Sequence, residues 1–362
     1  MHGLKEQYAA LRGPINERIQ RVLEHGQYIN GPEVRELEEA LEAYTGAAHC
    51  IAVSSGTDAL LISLMALEIG PEDEVIVPAF SFVAPAEAVR LVGARPVYVD
   101  VEPDTCNLDI SGLPGAITER TKAIIPVSLY GQPCDMDTIN AFASAQGLAV
   151  IEDAAQSFGA TYCGKKSGNL STIGCTSFYP TKPLGCYGDG GAIFTSDPDL
   201  ADIARALRDH GQVAKYHHTR VGLNARLDTL QAAVLLAKLG WLGAEIASRA
   251  DAAYRYNALL APKIGSTALP IVRFNRTSTY AQYTIQVERR DELAQALKEA
   301  GIPTAVHYPS PIHCQPAYWD IDRFWHMPVA EALRDRVLSL PMSAYLPRET
   351  QEKVARVLEF RF

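Results

Sequence analysis

The chain of 362 residues is longer than one hydrophobic core usually supports, so we expect one large domain and one smaller one. Its net charge of −9 and the lack of a basic run argue against nucleic acid as a partner. With 48% apolar residues, 21% charged residues and no run of eighteen apolar residues, the composition is typical of a soluble globular protein and predicts no membrane span.

The seven cysteines are scattered along the chain, in an odd number and without a CxxC pair. This pattern predicts free thiols in a reducing compartment, and it favours neither a disulfide framework nor a metal site. Because the sequence shows no secretory signal pattern either, we expect a cytoplasmic protein.

The first half of the chain has the pattern of an α/β protein. Residues 1–29 carry apolar side chains at helical spacing and predict one or two helices, and a further helix starts at Pro32 and runs to Gly46. Continuous apolar runs then alternate with helical patterns, which is typical of a mostly parallel sheet covered on both faces. The predicted strands are 49–53, 74–77, 95–101, 122–128 and 148–152, and the predicted helices are 57–67, 83–92 and 135–146.

The second half predicts a different layout. A helix over 197–210 and a polar loop over 211–224 precede a helical stretch from 227 to about 260, interrupted near 240–243. We place the domain boundary in that stretch, with a large domain over 1–244 and a small α+β domain over 245–362. The small domain is expected to contain a strand over 280–287, a helix over 291–300, a short strand ending at His307 and two late helices.

The most informative stretch is 174–195, which places Lys182 between Pro180 and Pro183 and ahead of four closely spaced glycines. The prolines exclude a helix interior, and the glycines allow the backbone to approach a bulky group. Apolar runs on both sides predict two short buried strands, so Lys182 is expected on a rigid turn between them. A single lysine is more often solvated, but a lysine presented in this way is typical of covalent chemistry with an aldehyde cofactor such as pyridoxal phosphate.

A phosphate site is predicted where residues 54–60 (SSGTDAL) close a strand and open a helix. The N–H groups at the start of that helix favour an anion, Gly56 lets the backbone approach it, and Thr57 adds a hydroxyl. Ser177, on the strand that leads to the lysine, has a second hydroxyl available for phosphate. Taken alone, the motif is more often an ordinary capped turn.

Contacts for a pyridine ring are predicted at two other strand ends. Asp153 follows a buried strand at the sheet edge where ligands bind, and its carboxylate would hold a protonated ring nitrogen. Gln156, three residues later, could hydrogen-bond the ring's phenolic oxygen, and Phe82 could lie flat against the ring. Each residue also has a simpler interpretation, a helix cap for Asp153 and plain core packing for Phe82.

Four motifs, SSGTDAL, IEDAAQSFGA, SFYPTKPLGCYGDGGAIFT and VGLNARLDTLQAAVL, resemble the DegT-type sugar-nucleotide aminotransferases, which are pyridoxal-phosphate enzymes of fold type I. The resemblance covers nearly the whole chain and implies a large domain with a mostly parallel sheet sandwiched by helices. It implies that Lys182 is the Schiff-base lysine and that Asp153 is the partner of the pyridine nitrogen. It also implies cofactor contacts from Gly56, Thr57, Phe82, Gln156, Ser177 and Asn224, the last reaching across the interface of a homodimer.

Within that family, YHHTRVGLNARLDTLQAA and AVHYPSPIHCQPA resemble the branch that aminates C3 of UDP-linked 3-oxo-N-acetylglucosaminuronic acid, for O-antigen polysaccharide. The resemblance implies L-glutamate as donor, 2-oxoglutarate as its product, and contacts from Arg226, His307 and Tyr308 to the sugar carboxylate. An arginine fork suits a carboxylate, although Arg226 could instead form a salt bridge on a helix face. A branch that aminates 3-keto-6-deoxyhexoses on thymidine diphosphate has similar motifs and stays open.

Two other classes of protein fit less well. A nicotinamide dehydrogenase is disfavoured because the glycines at 185–191 lie between two late strands and no GxGxxG opens the first βα turn. A regulatory protein that keeps the fold without turnover is disfavoured by the presence of both Lys182 and Asp153.

Overall fold

The computed structural model describes residues 2–318 and 325–361. The strands in chain order are β1 (His49–Val53), β2 (Glu74–Pro78), β3 (Arg95–Val99), β4 (Thr121–Ile124), β5 (Ala149–Asp153), β6 (Thr161–Tyr162), β7 (Lys165–Lys166), β8 (Ile173–Ser177), β9 (Gly191–Thr195), β10 (Gln212–Ala214), β11 (His217–His218), β12 (Tyr283–Gln286) and β13 (Val337–Leu340). The helices are α1 (Leu4–His25), α2 (Pro32–Thr45), α3 (Gly56–Ala66), α4 (Ala84–Leu91), α5 (Leu113–Ala116), α6 (Met136–Gln146), α7 (Pro198–Leu207), α8 (Thr229–Leu239), α9 (Leu242–Ile264), α10 (Arg290–Glu299), α11 (Pro328–Arg336) and α12 (Arg348–Arg361).

The central sheet of the described chain has seven strands in the order β1-β9-β8-β5-β4-β2-β3. The neighbours from β8 to β3 pair in parallel, whereas β9 runs antiparallel to both β1 and β8. The predicted mostly parallel sheet is therefore confirmed. The carboxyl ends of β1, β2, β5 and β8 and the amino end of β9 consequently share one edge of the sheet.

Helices cover both faces of this sheet because side chains alternate along each strand. On one face Ile51 and Val53 of β1 join a buried cluster with α3, α4 and α7. On the other face Cys50 and Ala52 of the same strand pack with α2 and α8, and α6 covers the neighbouring strands. This is the predicted sandwich of helices around a sheet.

The C-terminal region has a core of its own. Buried residues of α9, α10, α12, β12 and β13 form a separate cluster, which supports the proposed division near residue 244. Ile312 and α11 pack against the large cluster instead, so the two parts of the chain interlock there. None of the described helices is by itself long and apolar enough to cross a membrane, and α8 with α9 reaches that length only across a bend of 62°.

Several local predictions differ from the structure. Strand β4 ends at Ile124, short of the predicted residue 128, and Pro126 in the missing part has no N–H to donate. The hairpin of β6 and β7 and the short pair of β10 and β11 were not predicted. Strand β13 was not predicted either, because it follows α11 directly, without a turn signal.

A buried carboxylate on β5 fixes the loop that precedes β8. Glu152, on β5, is fully buried and accepts hydrogen bonds from Ser167 Oγ (2.6 Å), Gly168 N (2.9 Å) and Leu170 N (3.2 Å). Burial raises the pKa of Glu152 to about 7, although these three donors act in the opposite direction. Since a glutamate in an unfolded chain titrates at about 4.3, the folded state holds an extra proton between these two pH values.

Stability should therefore fall as pH rises through this window, and Glu152→Gln should remove that dependence. We expect the free energy of unfolding of the parent to fall between pH 4.5 and pH 7 by up to about 3 kcal/mol more than that of the variant. Urea unfolding at several pH values measures the difference. Glu36→Gln, at an exposed glutamate that pairs with Arg18, serves as the control and should keep the parent slope. An unchanged slope in Glu152→Gln would contradict the prediction.

Candidate active site

Lys182 lies on the segment 178–190, which connects β8 to the antiparallel β9 at the shared sheet edge. The segment is folded on itself, because Lys182 N donates to Tyr179 O (2.8 Å) and Cys186 N donates to Phe178 O (2.8 Å). The Lys182 side chain is half-buried. Burial lowers the pKa of Lys182, and the charge of Asp153 acts in the opposite direction. The predicted turn between two core strands is thus observed.

Asp153 ends β5 and is only 7% exposed. Its Oδ1 accepts a hydrogen bond from Ala155 N (3.0 Å), so the capping contact of the simpler interpretation is present. Among the described residues its Oδ2 has no hydrogen-bond donor. Burial raises the pKa of Asp153, whereas the Ala155 amide and the Lys182 charge favour the ionised form. The carboxylate therefore has one oxygen left for a cationic group of a ligand.

The residues of the predicted phosphate site lie together at the first turn of α3 and the end of β8. Ser55 caps this helix by accepting from Asp58 N (3.0 Å), and the N–H groups of Gly56 and Thr57 precede the first residues with helical acceptors. A Cβ on Gly56 would lie 2.6 Å from Ser177 Cβ, so only glycine allows this turn to approach the end of β8. The Ser177 hydroxyl consequently lies beside a helix N-terminus, and the hydroxyl and the N-terminus together favour an anion.

Gln156 has a fixed orientation. Tyr130 N donates to its Oε1 (2.7 Å), so its Nε2 is the atom that donates to Tyr308 Oη (3.3 Å). Thr279 Oγ1 also donates to the backbone carbonyl oxygen of Gln156 (2.6 Å). The amide N–H groups therefore point toward the side of Tyr308, where a ring oxygen of a ligand could accept from them.

His307 and Tyr308 lie next to this amide. His307 Nδ1 is 2.8 Å from Ser339 Oγ, and Tyr130 Oη donates to the His307 carbonyl. Burial, and secondly the charge of Lys182, lowers the pKa of His307, so the ring is neutral at pH 7. Burial also raises the pKa of Tyr308, which keeps its hydroxyl proton available for donation. The 52% exposed ring of Phe82 lies 6.1 Å from that of Tyr308.

Asn224 and Arg226 form a different group. Arg226 Nη1 pairs with Asp209 Oδ1 (2.8 Å), and Arg226 Nη2 donates to Asn224 Oδ1 (2.6 Å). They line a cavity of about 370 Å³ with Ser54, Gly188 and Asp189, among others. No hydrogen bond or ion pair among the described residues connects this group to His307 or Tyr308. Among the described residues, the predicted contacts of the sugar carboxylate thus form two groups that share no hydrogen bond or ion pair.

Two residues with clear structural roles at the site were missed by the sequence analysis. Tyr130 orients Gln156 through its N–H and contacts His307 through its hydroxyl. Its position after the predicted strand 122–128, at the carboxyl edge of the sheet, was an available signal. Asp209 is the penultimate residue of the predicted helix 197–210, and nothing in the sequence indicated that it would pair with Arg226.

The arrangement fits pyridoxal phosphate. It combines a desolvated lysine, a buried carboxylate with one oxygen free of protein donors, and a helix N-terminus with a hydroxyl beside it. These groups match the aldehyde, the ring nitrogen and the phosphate of that cofactor. In the described part of the chain, no group of three or more His, Cys, Asp or Glu could hold a metal ion. Fold and site define a pyridoxal-phosphate-dependent transaminase.

The chain belongs to the DegT/DnrJ/EryC1/StrS aminotransferase family, whose pattern matches residues 10–359. It is 56% identical over 343 residues to the UDP-2-acetamido-2-deoxy-3-oxo-D-glucuronate aminotransferase of Pseudomonas aeruginosa, over 95% of this chain and 94% of that protein. It is 45% identical to the UDP-N-acetyl-3-dehydro-alpha-D-glucosamine 3-aminotransferase of Acidithiobacillus ferrooxidans, over 99% of this chain and 95% of that protein. The solved structure of ntda from Bacillus subtilis with bound cofactor PMP matches at 33% identity and a TM-score of 0.90, over 96% of this chain and 81% of that one.

Asp153→Asn should separate a role toward the cofactor from a role as a cap. Asparagine keeps an oxygen that accepts from Ala155 N, so folding should be unchanged, but it lacks the charge that favours a protonated ring nitrogen. By analogy with the loss of one pre-organised electrostatic partner, we expect kcat to fall by at least about a hundredfold. Cofactor absorbance and the melting temperature are measured alongside. A rate within a few-fold of the parent would leave Asp153 as a helix cap.

Proposed function

We propose that this transaminase moves the amino group of L-glutamate to the C3 keto group of a UDP-linked 3-oxo-N-acetylglucosaminuronic acid and releases 2-oxoglutarate. The observation that carries the proposal is the 56% identity, over 95% of the chain, to the Pseudomonas aminotransferase that acts on such a sugar. The product would serve the synthesis of surface polysaccharide such as O-antigen. Since nucleotide sugars are made in the cytoplasm, and all seven cysteines of the described chain are free, we place the enzyme there.

The described residues offer a contact for each part of the cofactor. Lys182 would bind the aldehyde carbon, Asp153 the ring nitrogen and Gln156 the ring oxygen. The turn at Gly56 and Thr57, with the Ser177 hydroxyl, would hold the phosphate. Phe82, exposed beside Tyr308, would cover one face of the ring. Bound pyridoxal phosphate supplies an electron sink for the carbon that loses its proton.

Lys182 is the candidate for moving that proton. Burial lowers the pKa of its ammonium group, so a larger fraction of Nζ is neutral and able to accept a proton near pH 7. In the first half-reaction Nζ would take the proton from Cα of glutamate. In the second half-reaction the same nitrogen would deliver a proton to C3 of the sugar. The rigid backbone of 178–190 keeps the lysine at the site while its side chain moves between these positions.

Recognition of the sugar carboxylate is proposed for Arg226, His307 and Tyr308. Tyr308 accepts from Gln156 and keeps its own proton for donation, while neutral His307 uses Nδ1 toward Ser339 and leaves Nε2 for a ligand. Arg226 belongs to a separate group in the same chain, so we propose that it acts in the site of a second copy. The segment 211–224 that precedes it is suited to such an interface, since Tyr216 and Val221 are 83% and 89% exposed.

One observation favours the alternative branch, which aminates 3-keto-6-deoxyhexoses on thymidine diphosphate. Arg226 already pairs with Asp209, so part of its charge is neutralised before any substrate binds. A neutral sugar would not require that charge. In that case Arg226 would serve to orient Asn224, because its donation to Asn224 Oδ1 leaves the amide Nδ2 as the outward donor for an anion.

Complementation between subunits tests the proposed shared site. Lys182→Ala and Asn224→Ala should each lower activity strongly as pure proteins. If Asn224 acts in the site of the other copy, a heterodimer of the two variants contains one intact site and one site with both changes. We expect mixed preparations to regain up to about a quarter of the parent activity, since half of randomly mixed dimers are heterodimers. Failure to regain activity, with subunit exchange shown by mass spectrometry, would place Asn224 in the site of its own chain.

The proposed recognition of the sugar carboxylate by Arg226 is tested in the second half-reaction alone, with enzyme loaded with pyridoxamine phosphate. Arg226→Ala should lower kcat/KM for the uronate sugar at least about tenfold, because the loss of one partner of a desolvated charge pair costs about 2–5 kcal/mol. The same sugar with a C6 alcohol in place of the carboxylate should be a poor substrate for the parent and no worse for the variant. Arg220→Ala, on the same segment but paired with exposed Glu68, is the matched control. Unchanged use of the uronate by Arg226→Ala would favour the deoxyhexose branch.

A further inference from the structure

A second lysine, Lys238 on α8, lies behind the segment that carries Lys182. It is 3% exposed, and its Nζ donates to Gly185 O (2.7 Å) and lies 4.1 Å from the ring centroid of Tyr187. A buried ammonium is unfavourable unless it is hydrogen-bonded and opposed by negative charge. Here the carbonyl, the aromatic face and the nearby carboxylate of Glu245 compensate for the lost hydration.

Gly185 packs against the backbone that leads to Lys182. A Cβ on Gly185 would lie 2.6 Å from Pro180 O and 2.8 Å from Tyr179 O, so this glycine packs directly on the peptides that precede Lys182. The hydrogen bonds of the segment itself, from Lys182 N to Tyr179 O and from Cys186 N to Phe178 O, lie on either side of this contact. The Gly185 carbonyl is buried and takes its partner from α8. A displacement of Gly185 would therefore displace the backbone at Lys182.

The opposing carboxylate connects this contact to distant parts of the chain. Glu245 accepts from Gln7 Nε2 (2.9 Å) on α1 and from Tyr345 Oη (2.8 Å), which precedes α12. It is also close to the buried Arg249, whose Nη1 donates to Tyr280 O (3.3 Å). The carboxylate whose charge favours the Lys238 ammonium is thus itself held by groups from α1 and the C-terminal region.

We propose that Lys238 is a positioning residue of the transaminase, holding Gly185 so that Lys182 is presented to the cofactor in the reactive orientation. The proposal rests on the role proposed for Lys182 and is independent of which sugar is aminated. Without the ammonium, the segment keeps its internal backbone hydrogen bonds and the bond from Tyr187 N to Gln231 Oε1 of α8 (2.9 Å), but it loses the bond from α8 to the Gly185 carbonyl. Lys182 would then still bind the cofactor, in a wider range of orientations.

Lys238→Met tests the proposal, since methionine fills similar volume without donor or charge. We expect kcat of the glutamate half-reaction to fall about 10- to 100-fold with KM changed less than threefold, because small misplacements of reacting groups cost rates of this order. The visible circular dichroism of the bound cofactor should weaken and its release by hydroxylamine should accelerate. Hydrogen exchange should rise over 178–190 and stay unchanged over α3. Lys182→Ala, measured in parallel, should lose the hydroxylamine-sensitive linkage. Retention of that linkage would refute the role of Lys182 and with it the basis of the proposal, whereas loss of the linkage together with parent behaviour of Lys238→Met would refute the role of Lys238 alone.

Lys166→Met is the matched control, because Lys166 also donates to a backbone carbonyl, Gly159 O (3.2 Å), and lies over an aromatic ring, Tyr44 (4.8 Å). It should keep the parent kcat and dichroism whatever its effect on the melting temperature. If Lys238→Met does not fold, Lys238→Gln replaces it, since its shorter side chain cannot reach Gly185 O. A variant at Lys238 with parent kcat, dichroism and exchange over 178–190 would overturn the proposal, even if its melting temperature fell.

Discussion

The burial of Lys182 beside Asp153 is the constraint on which the rest of the site depends. Each group is taken from water, so the pKa of the lysine falls and that of the carboxyl group rises, while their mutual attraction opposes both changes. The fold meets this requirement with two neighbouring strands. β5 ends at Asp153, and β8 leads into the segment that carries Lys182, so the sheet itself sets the separation between base and carboxylate.

Orientation of hydrogen-bond donors is a second common feature. Gln156 is fixed by an N–H on its oxygen, which directs its amide nitrogen toward Tyr308. Asn224 is fixed in the same manner by Arg226, which is itself held by Asp209. In both cases a protein donor occupies the amide oxygen, so the amide nitrogen is the atom left to donate to another group. Lys238 shows the same arrangement for a backbone group, since it donates to a carbonyl of the segment that carries Lys182.

Arg226 shares no hydrogen bond or ion pair with His307 or Tyr308 among the described residues, which has a simple interpretation if the enzyme works as a dimer. Exposed aromatic and aliphatic side chains lie on the segment before Asn224 and at the site itself, where Phe82 is half exposed. Single exposed apolar residues are common, so these side chains are compatible with a surface that another chain covers but do not by themselves require one.

The sequence alone determined the family, the cofactor class and the mostly parallel sheet, and it singled out Lys182 and Asp153 as the proposed cofactor contacts. These features depend on local patterns. Neighbouring positions in the chain show a lysine between prolines and glycines, and an acidic residue after an apolar run. It did not reveal β13, the role of Tyr130, the pairing of Asp209 with Arg226, or Lys238, which reads as one charged residue in an amphipathic helix. Those features depend on contacts between residues far apart in the chain, such as Lys238 with Gly185 and Gln7 with Glu245. Only the packed tertiary structure decides which buried polar groups meet, because each must find its partner in whichever element folds against it.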